Sequence, residues 1–195
     1  MCIRDSSCTG IDFAPAPIKY ARDNAPEKCA YLLGDIRNVE YGENFDLVFL
    51  IFGAFNLFKP VDAINILEKI FASLKPGGKL LLELSSLDSV DQIGNQPAMW
   101  YTAEKALFYN KPHICLMETF WDEDTLTATE RFYIVDTNSG EVIHLAASTQ
   151  GYDEDELLSI LAENGFSDLS IIPSLTGRDE NEINDFLVIT ARKPA

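Results

Sequence analysis

The chain has 195 residues, 47% of them apolar and 24% charged, which suits one domain with a core of its own and an inserted subdomain. A formal net charge of −16 repels phosphate backbones and anionic membrane surfaces, so it weighs against nucleic acid and membrane as partners and points to a small molecule. Four cysteines (Cys2, Cys8, Cys29 and Cys115) without metal or redox spacing, no apolar run near the ~20 residues of a membrane helix, and no apolar signal core predict a cytoplasmic protein with reduced thiols and no metal site.

In chain order, Gly10-Ile11-Asp12-Phe13 reads as the end of a buried strand with little before it. Pro15 and Pro17 suit a helix start, and Ile18, Ala21 and Arg22 carry that helix to Asn24. Cys29 to Leu33 reads as a second strand, ending in Gly34-Asp35, and the polar residues 38–44 form a loop. From Leu47 to Phe52 the sequence is continuously apolar, which predicts a strand buried on both faces of a parallel sheet. Ala63, Ile66, Leu67, Ile70, Phe71 and Leu74 then make one helical stripe, with Asp62 and Lys75 at the ends where their charges suit the helix dipole. Pro76 stops the helix, Gly77-Gly78 supply unusual dihedrals, and Lys79 to Leu84 is another apolar strand. Strand, helix and strand form a crossover, which predicts an open α/β sheet with a crevice at the carboxyl ends of its strands.

From about residue 86 to 150 this alternation lapses, and only a turn near Ala103 and Leu107 interrupts strand-like sequence. Three runs, 114–121, 126–134 and 141–146, are separated by Asp122-Glu123-Asp124 and by Thr137-Asn138-Ser139-Gly140, predicting an inserted antiparallel meander. The α/β pattern then resumes. Asp153 and Glu156 make a capping box for a helix buried through Leu157, Leu158 and Leu161 and ended by Gly165. Residues 169–172 and 186–190 are strands, joined by the polar segment 174–185.

Taken together, the strand ends Gly10-Ile11-Asp12 and Gly34-Asp35-Ile36, the strand Phe45-Asp46-Leu47-Val48 running into Gly53-Ala54-Phe55, and the turn Leu74-Lys75-Pro76-Gly77-Gly78-Lys79 form one pattern. In it the chain resembles the class I S-adenosylmethionine-dependent methyltransferases, closely from Gly10 to about Leu84 and in general plan near the carboxyl end. The resemblance implies an α/β fold: a Rossmann-like sheet, mostly parallel with an antiparallel last strand, in a single domain over 10–195 that carries the β meander as a lid at about 86–150. It implies that Asp12, beside Phe13, accepts the ribose hydroxyls of S-adenosylmethionine. Asp35 would meet the adenine amino group and Ile36 the ring face. Phe52, Gly53 and Ala54 would lie beside the methionine part and the transferring methyl. A strand-end carboxylate suits such charge-assisted bonds. Singly, Asp12 reads equally as a helix cap and Asp35 as a turn residue.

The family's glycine-rich loop precedes the acidic residue that matches Asp12, whereas the nine residues before Gly10 contain no glycine. The expectation is a chain lacking the family's first strand, glycine loop and following helix. Residues 1–9 are read as a non-native leader, in which Met1-Cys2-Ile3-Arg4-Asp5-Ser6 resembles a translated adapter remnant. The strands ending at Asp12 and Phe52 would then be separated by a gap or forced together, impairing cofactor binding. His113, and after it His144, are candidate general bases, set against the structural role that a lone histidine more often has. Transfer of a methyl group to a small-molecule acceptor is the leading reading. The alternatives are a nucleotide-dependent oxidoreductase of related fold, which lacks the expected G-x-G-x-x-G, and a non-catalytic binding module that keeps the fold.

Overall fold

The computed structural model describes residues 6–106, 108–172, 174–175 and 186–195, which form three sheets. The first is a parallel pair, β1 (Cys8–Asp12) and β2 (Cys29–Leu33), joined by helix α1 (Pro15–Asn24), whose Ile18 is buried. Cys8 and Cys29 lie directly opposite each other in this pair. The second sheet has the order β3 (Phe45–Leu50), β4 (Leu74–Ser85), β10 (Phe186–Arg192), β9 (Ser167–Ile172). Strands β3 and β4 are parallel, and the last strand β10 runs antiparallel to both its neighbours. The third sheet is the antiparallel meander β5 (Met99–Ala103), β6 (His113–Asp122), β7 (Thr127–Asp136), β8 (Val142–Gln150).

The core forms on one face of the second sheet. Register places Val48, Leu50, Leu80, Leu82, Leu84, Leu187, Ile189 and Ala191 on that face. Onto it pack Ala63, Ile66, Leu67 and Ile70 of α2 (Pro60–Ser73) and Leu157 and Leu161 of α4 (Glu154–Glu163). Fully burying each such leucine or isoleucine stabilises the fold by about 1.5–3 kcal/mol. Pro60 begins α2, and the Asp153 side chain accepts the N–H groups of Asp155 and Glu156 to cap α4. Gly165, at φ +90°, ends α4 against the ring of Phe71.

Several sequence expectations need correction. Strand β3 is buried on one face only: Val48 and Leu50 meet the core, but Leu47 and Phe49, on the other face, are 49% and 58% exposed. Of the turn glycines, only Gly77 has a positive φ; Gly78 is needed because a Cβ would lie 2.9 Å from the Lys75 carbonyl oxygen and 3.0 Å from that of Phe45. The insertion holds a helix, α3 (Leu87–Gly94), capped by Ser86, and a fourth strand, β5. Periodicity missed α3 because it is only about two turns long. Gly94 packs so closely that a Cβ there would sit 3.0 Å from the Trp121 Cα. Most of the polar segment 174–185, and residues 1–5 of the expected leader, lie outside the described residues.

Among the described residues, β1 pairs only with β2 and β3 only with β4, so the strands ending at Asp12 and Phe52 belong to separate sheets. The β1–β2 unit is held to the core by the loop that follows β2. Ile36 and Tyr41 pack against the core, and Lys69 Nζ donates to the carbonyls of Arg37 and Val39 at 2.9 Å each.

Candidate functional site

The carboxyl ends of β1, β2 and β3 carry the residues singled out by sequence. Asp12 and Asp35 follow adjacent parallel strands, and the Gly34 N–H donates to the Asp12 carbonyl at 2.9 Å, which ties the two strand ends together. One Asp12 oxygen, Oδ1, accepts the Ala14 N–H at 2.8 Å, a tight turn before α1 rather than a cap on that helix's own N–H groups. Phe13 beside it is exposed.

Asp35 is engaged. The Arg37 guanidinium grips both of its oxygens through Nε, at 3.0 Å each, and through Nη2, while the Arg37 N–H donates to Oδ1 at 2.9 Å. These bonds hold the Asp35 carboxyl down at about 2. Arg37 Nη1 also pairs with Asp62 on α2 at 3.3 Å, linking the strand end to the core helix. Ile36 turns its side chain against the core cluster.

At the end of β3, Phe52 and Gly53 are consecutive left-handed residues, with φ +58° and +65°. Such a conformation is costly for phenylalanine. Two bonds from β4 hold it: the Phe52 N–H donates to Glu83 Oε2 at 2.7 Å, and the Gly53 N–H donates to the Glu83 carbonyl at 3.1 Å. The Phe52 ring is thrown outward, 77% exposed. A Cβ on Gly53 would meet Ser85 Oγ at 2.9 Å, so glycine is required by space as well as by φ. Ala54 opens a short 3-10 turn (Ala54–Leu57) that buries Phe55 and Asn56.

Asn56, 1% exposed, joins three elements: its Nδ2 donates to the carbonyls of Gln150 (2.8 Å) and Ser85 (3.2 Å), and its Oδ1 accepts the Ser85 N–H at 2.9 Å. Tyr152 adds a bond to the Phe58 carbonyl at 2.9 Å. The base of the meander, where Asp122, Thr127 and Gln150 align across β6, β7 and β8, is thereby fixed beside the β3 end.

His113 is at the opposite end of β6, about 30 Å away at ~3.4 Å per residue. It is 2% exposed, its Nδ1 lies 2.7 Å from the Lys111 carbonyl, and its ring sits edge-on to Tyr101 and Tyr109. Beside it, the Tyr109 hydroxyl and the backbone N–H groups of Ser139 and Asn138 hold the Asp136 carboxyl down at about 2, while bonding to Asp136 pushes the Tyr109 hydroxyl up to about 12. These contacts describe a buried structural cluster, not a group facing the crevice. His144 meets the Tyr133 ring edge-on, on the other side of the meander. Of the insert aromatics, Phe132 is buried, Trp121 packs on Gly94, and Trp100, Phe108 and Phe120 are exposed. Sequence reading missed Arg37, Asn56 and Glu83. Only Glu83 carried a signal, an acid within the otherwise apolar run Leu80 to Leu84.

Residues 2–78 match the family described as "Methyltransferase domain". Over that stretch, which is under half of the chain, it is similar to methyltransferases. A curated relative, the carboxy-S-adenosyl-L-methionine synthase of Chromohalobacter salexigens, is 34% identical over 85 residues. That match covers 38% of this chain and 28% of the synthase. Solved methyltransferases share the fold at low identity. An S-adenosylmethionine-dependent methyltransferase from Clostridium acetobutylicum superposes with a TM-score of 0.71 at 14% identity, covering 97% of this chain and 76% of that one. CalS10, an amino pentose methyltransferase from Micromonospora echinaspora with S-adenosylmethionine bound, gives 0.61 at 20% identity, covering 96% and 74%. No described helix is long and apolar enough to cross a membrane.

Proposed function

We propose that the crevice at the ends of β1, β2 and β3 binds S-adenosylmethionine and serves methyl transfer to a small-molecule acceptor. The observation that carries this reading is the placement of two carboxylates, Asp12 and Asp35, after adjacent parallel strands whose ends are bonded together. Solved proteins of the same fold, an amino pentose methyltransferase and a glycopeptide N-methyltransferase, support a small-molecule acceptor.

The residues fit the cofactor unevenly. Asp12 keeps acceptor capacity beyond its Ala14 bond and suits the ribose hydroxyls. Asp35 would accept the adenine amino group only by sharing its oxygens with Arg37. Phe52, Gly53 and Ala54 form the tight turn at the end of β3. When bound, S-adenosylmethionine supplies a methyl group already activated on a sulfonium. The chain's task is then to hold donor and acceptor in line, an effect that contributes roughly 7–11 kcal/mol in well-oriented systems. Neither His113, buried far along β6, nor His144 is used in this scheme.

A ligand-observed NMR titration of the full chain with S-adenosylmethionine tests the reading. Weak binding is expected in the wild type, with a further loss of about tenfold or more in Asp12→Ala, since two charge-assisted bonds disappear. Equal binding by both proteins would refute the assignment of Asp12. Binding without transfer to any amine, hydroxyl or thiol acceptor would favour the non-catalytic alternative.

A further inference from the structure

Glu83 is a buried carboxylate that the scheme above leaves unexplained. It is 8% exposed, it interrupts an apolar strand, and among the described residues no lysine, arginine or histidine forms an ion pair with it. Its recorded side-chain partner is the Phe52 N–H, at 2.7 Å. A glutamine could make that bond as well, and an apolar residue would better suit the strand. Burying a charge without a counter-charge costs several kcal/mol. A carboxylate near the end of a strand, behind a strained turn that faces the proposed ligand crevice, is therefore matched to a cation that no described residue provides.

We propose that Glu83 is a positioning residue that supplies the counter-charge for a cationic group of the ligand at the end of β3, and so favours the methyl-bearing sulfonium over its neutral thioether product. This rests on the reading of the crevice as an S-adenosylmethionine site. The geometry gives Glu83 two linked roles. Its backbone and side chain together fix the Phe52–Gly53 turn, so the floor of the crevice is set before any ligand arrives. Its charge reaches the crevice through the peptide between Ile51 and Phe52, whose N–H it polarises and whose carbonyl accepts the Ala54 N–H at 3.3 Å. Loss of the methyl removes the sulfonium's positive charge and leaves the α-ammonium in place, so the attraction at that sulfur falls away in the product state and release is eased.

The test compares affinities for S-adenosylmethionine and S-adenosylhomocysteine by NMR titration of the full chain, in the wild type, Glu83→Gln and Glu83→Asp. Glu83→Gln retains an acceptor for the Phe52 N–H but no charge. It is expected to weaken S-adenosylmethionine binding by roughly threefold to tenfold while leaving S-adenosylhomocysteine within about twofold. Glu83→Asp keeps the charge on a shorter arm and is expected to retain the preference for the sulfonium, even if both affinities fall. A purely structural Glu83 would move both ligands together in Glu83→Gln, and that result overturns the inference. Should Glu83→Gln fail to fold, loss of the preference in Glu83→Asp overturns it instead. A wild type that binds neither ligand refutes the cofactor reading itself, an outcome distinct from two bound ligands whose ratio ignores residue 83.

Discussion

The two groups of strand ends that the proposed site would join are held by different forces. On the β3–β4 side, Leu67, Leu82, Leu161 and Ile189 are wholly buried, and the Phe52 turn is fastened to that packed sheet by Glu83. On the β1–β2 side, Ile18 is the buried apolar residue among those described, and the connection to the core runs through Arg37, Asp62 and Lys69. One wall is a product of packing, the other largely of charge and hydrogen bonds. An isolated two-stranded sheet is marginal in water. The wall that carries Asp12 and Asp35 is therefore the softer one.

Cutting into the core separates the two walls most sharply. Leu82→Ala is expected to cost about 2–5 kcal/mol, lowering the denaturant midpoint of the whole chain. Ile18→Ala should loosen β1–β2 and leave the fluorescence transition of Trp100 and Trp121 in the meander in place. If both substitutions shift that transition alike, the walls fold as one unit and the contrast is wrong.

A middle-sized effect is expected at the meander base. Asn56→Ala strands the bonding groups of Gln150 and Ser85 and should cost about 1–3 kcal/mol. Amides of Ser148 to Gly151 would lose exchange protection before those of β4. Unchanged protection there would mean that Tyr152 and Gly151 hold the base without Asn56.

The smallest effect concerns pH. The Asp35 carboxyl is lowered to about 2 by Arg37, so its folded-state preference is for the charged form. Its contribution is fully present above the ordinary carboxylate value of 3.8 and fades as pH falls from about 4 to about 2. In Arg37→Ala the Asp35 titration, followed by NMR, should move back up toward the ordinary value, and the β1–β2 amides should lose their acid dependence in that window. Asp136, lowered to about 2 by Tyr109 at the far end of the meander, should titrate unchanged and serves as the internal control.

The crossover was legible in the sequence because its signals are local and strong: an apolar run, a helical stripe ending near Leu74, and a proline with two glycines. Burial was less legible. The run Leu47 to Phe52 looks the same whether one face or two are covered, since coverage depends on what packs there. The strand-end aspartates were placed correctly at the carboxyl ends of β1 and β2, yet the hold of Arg37 on Asp35 was not foreseen, because two residues apart in a loop can face any direction. His113 illustrates the reverse. Its residue type attracted attention, while its position at the distal end of β6 follows only from the meander's length and register.

The division of strands between two sheets also bears on how affinity is set. With no shared backbone ladder among the described residues, the β1–β2 unit can open without breaking a single bond of the β3–β4–β10–β9 sheet. A ligand that needs both Asp12 and the Phe52 turn binds only while that unit is seated, so its apparent affinity is the intrinsic value scaled down by the seated fraction. Improving the Arg37–Asp62 tether would then tighten binding without adding any contact to the ligand.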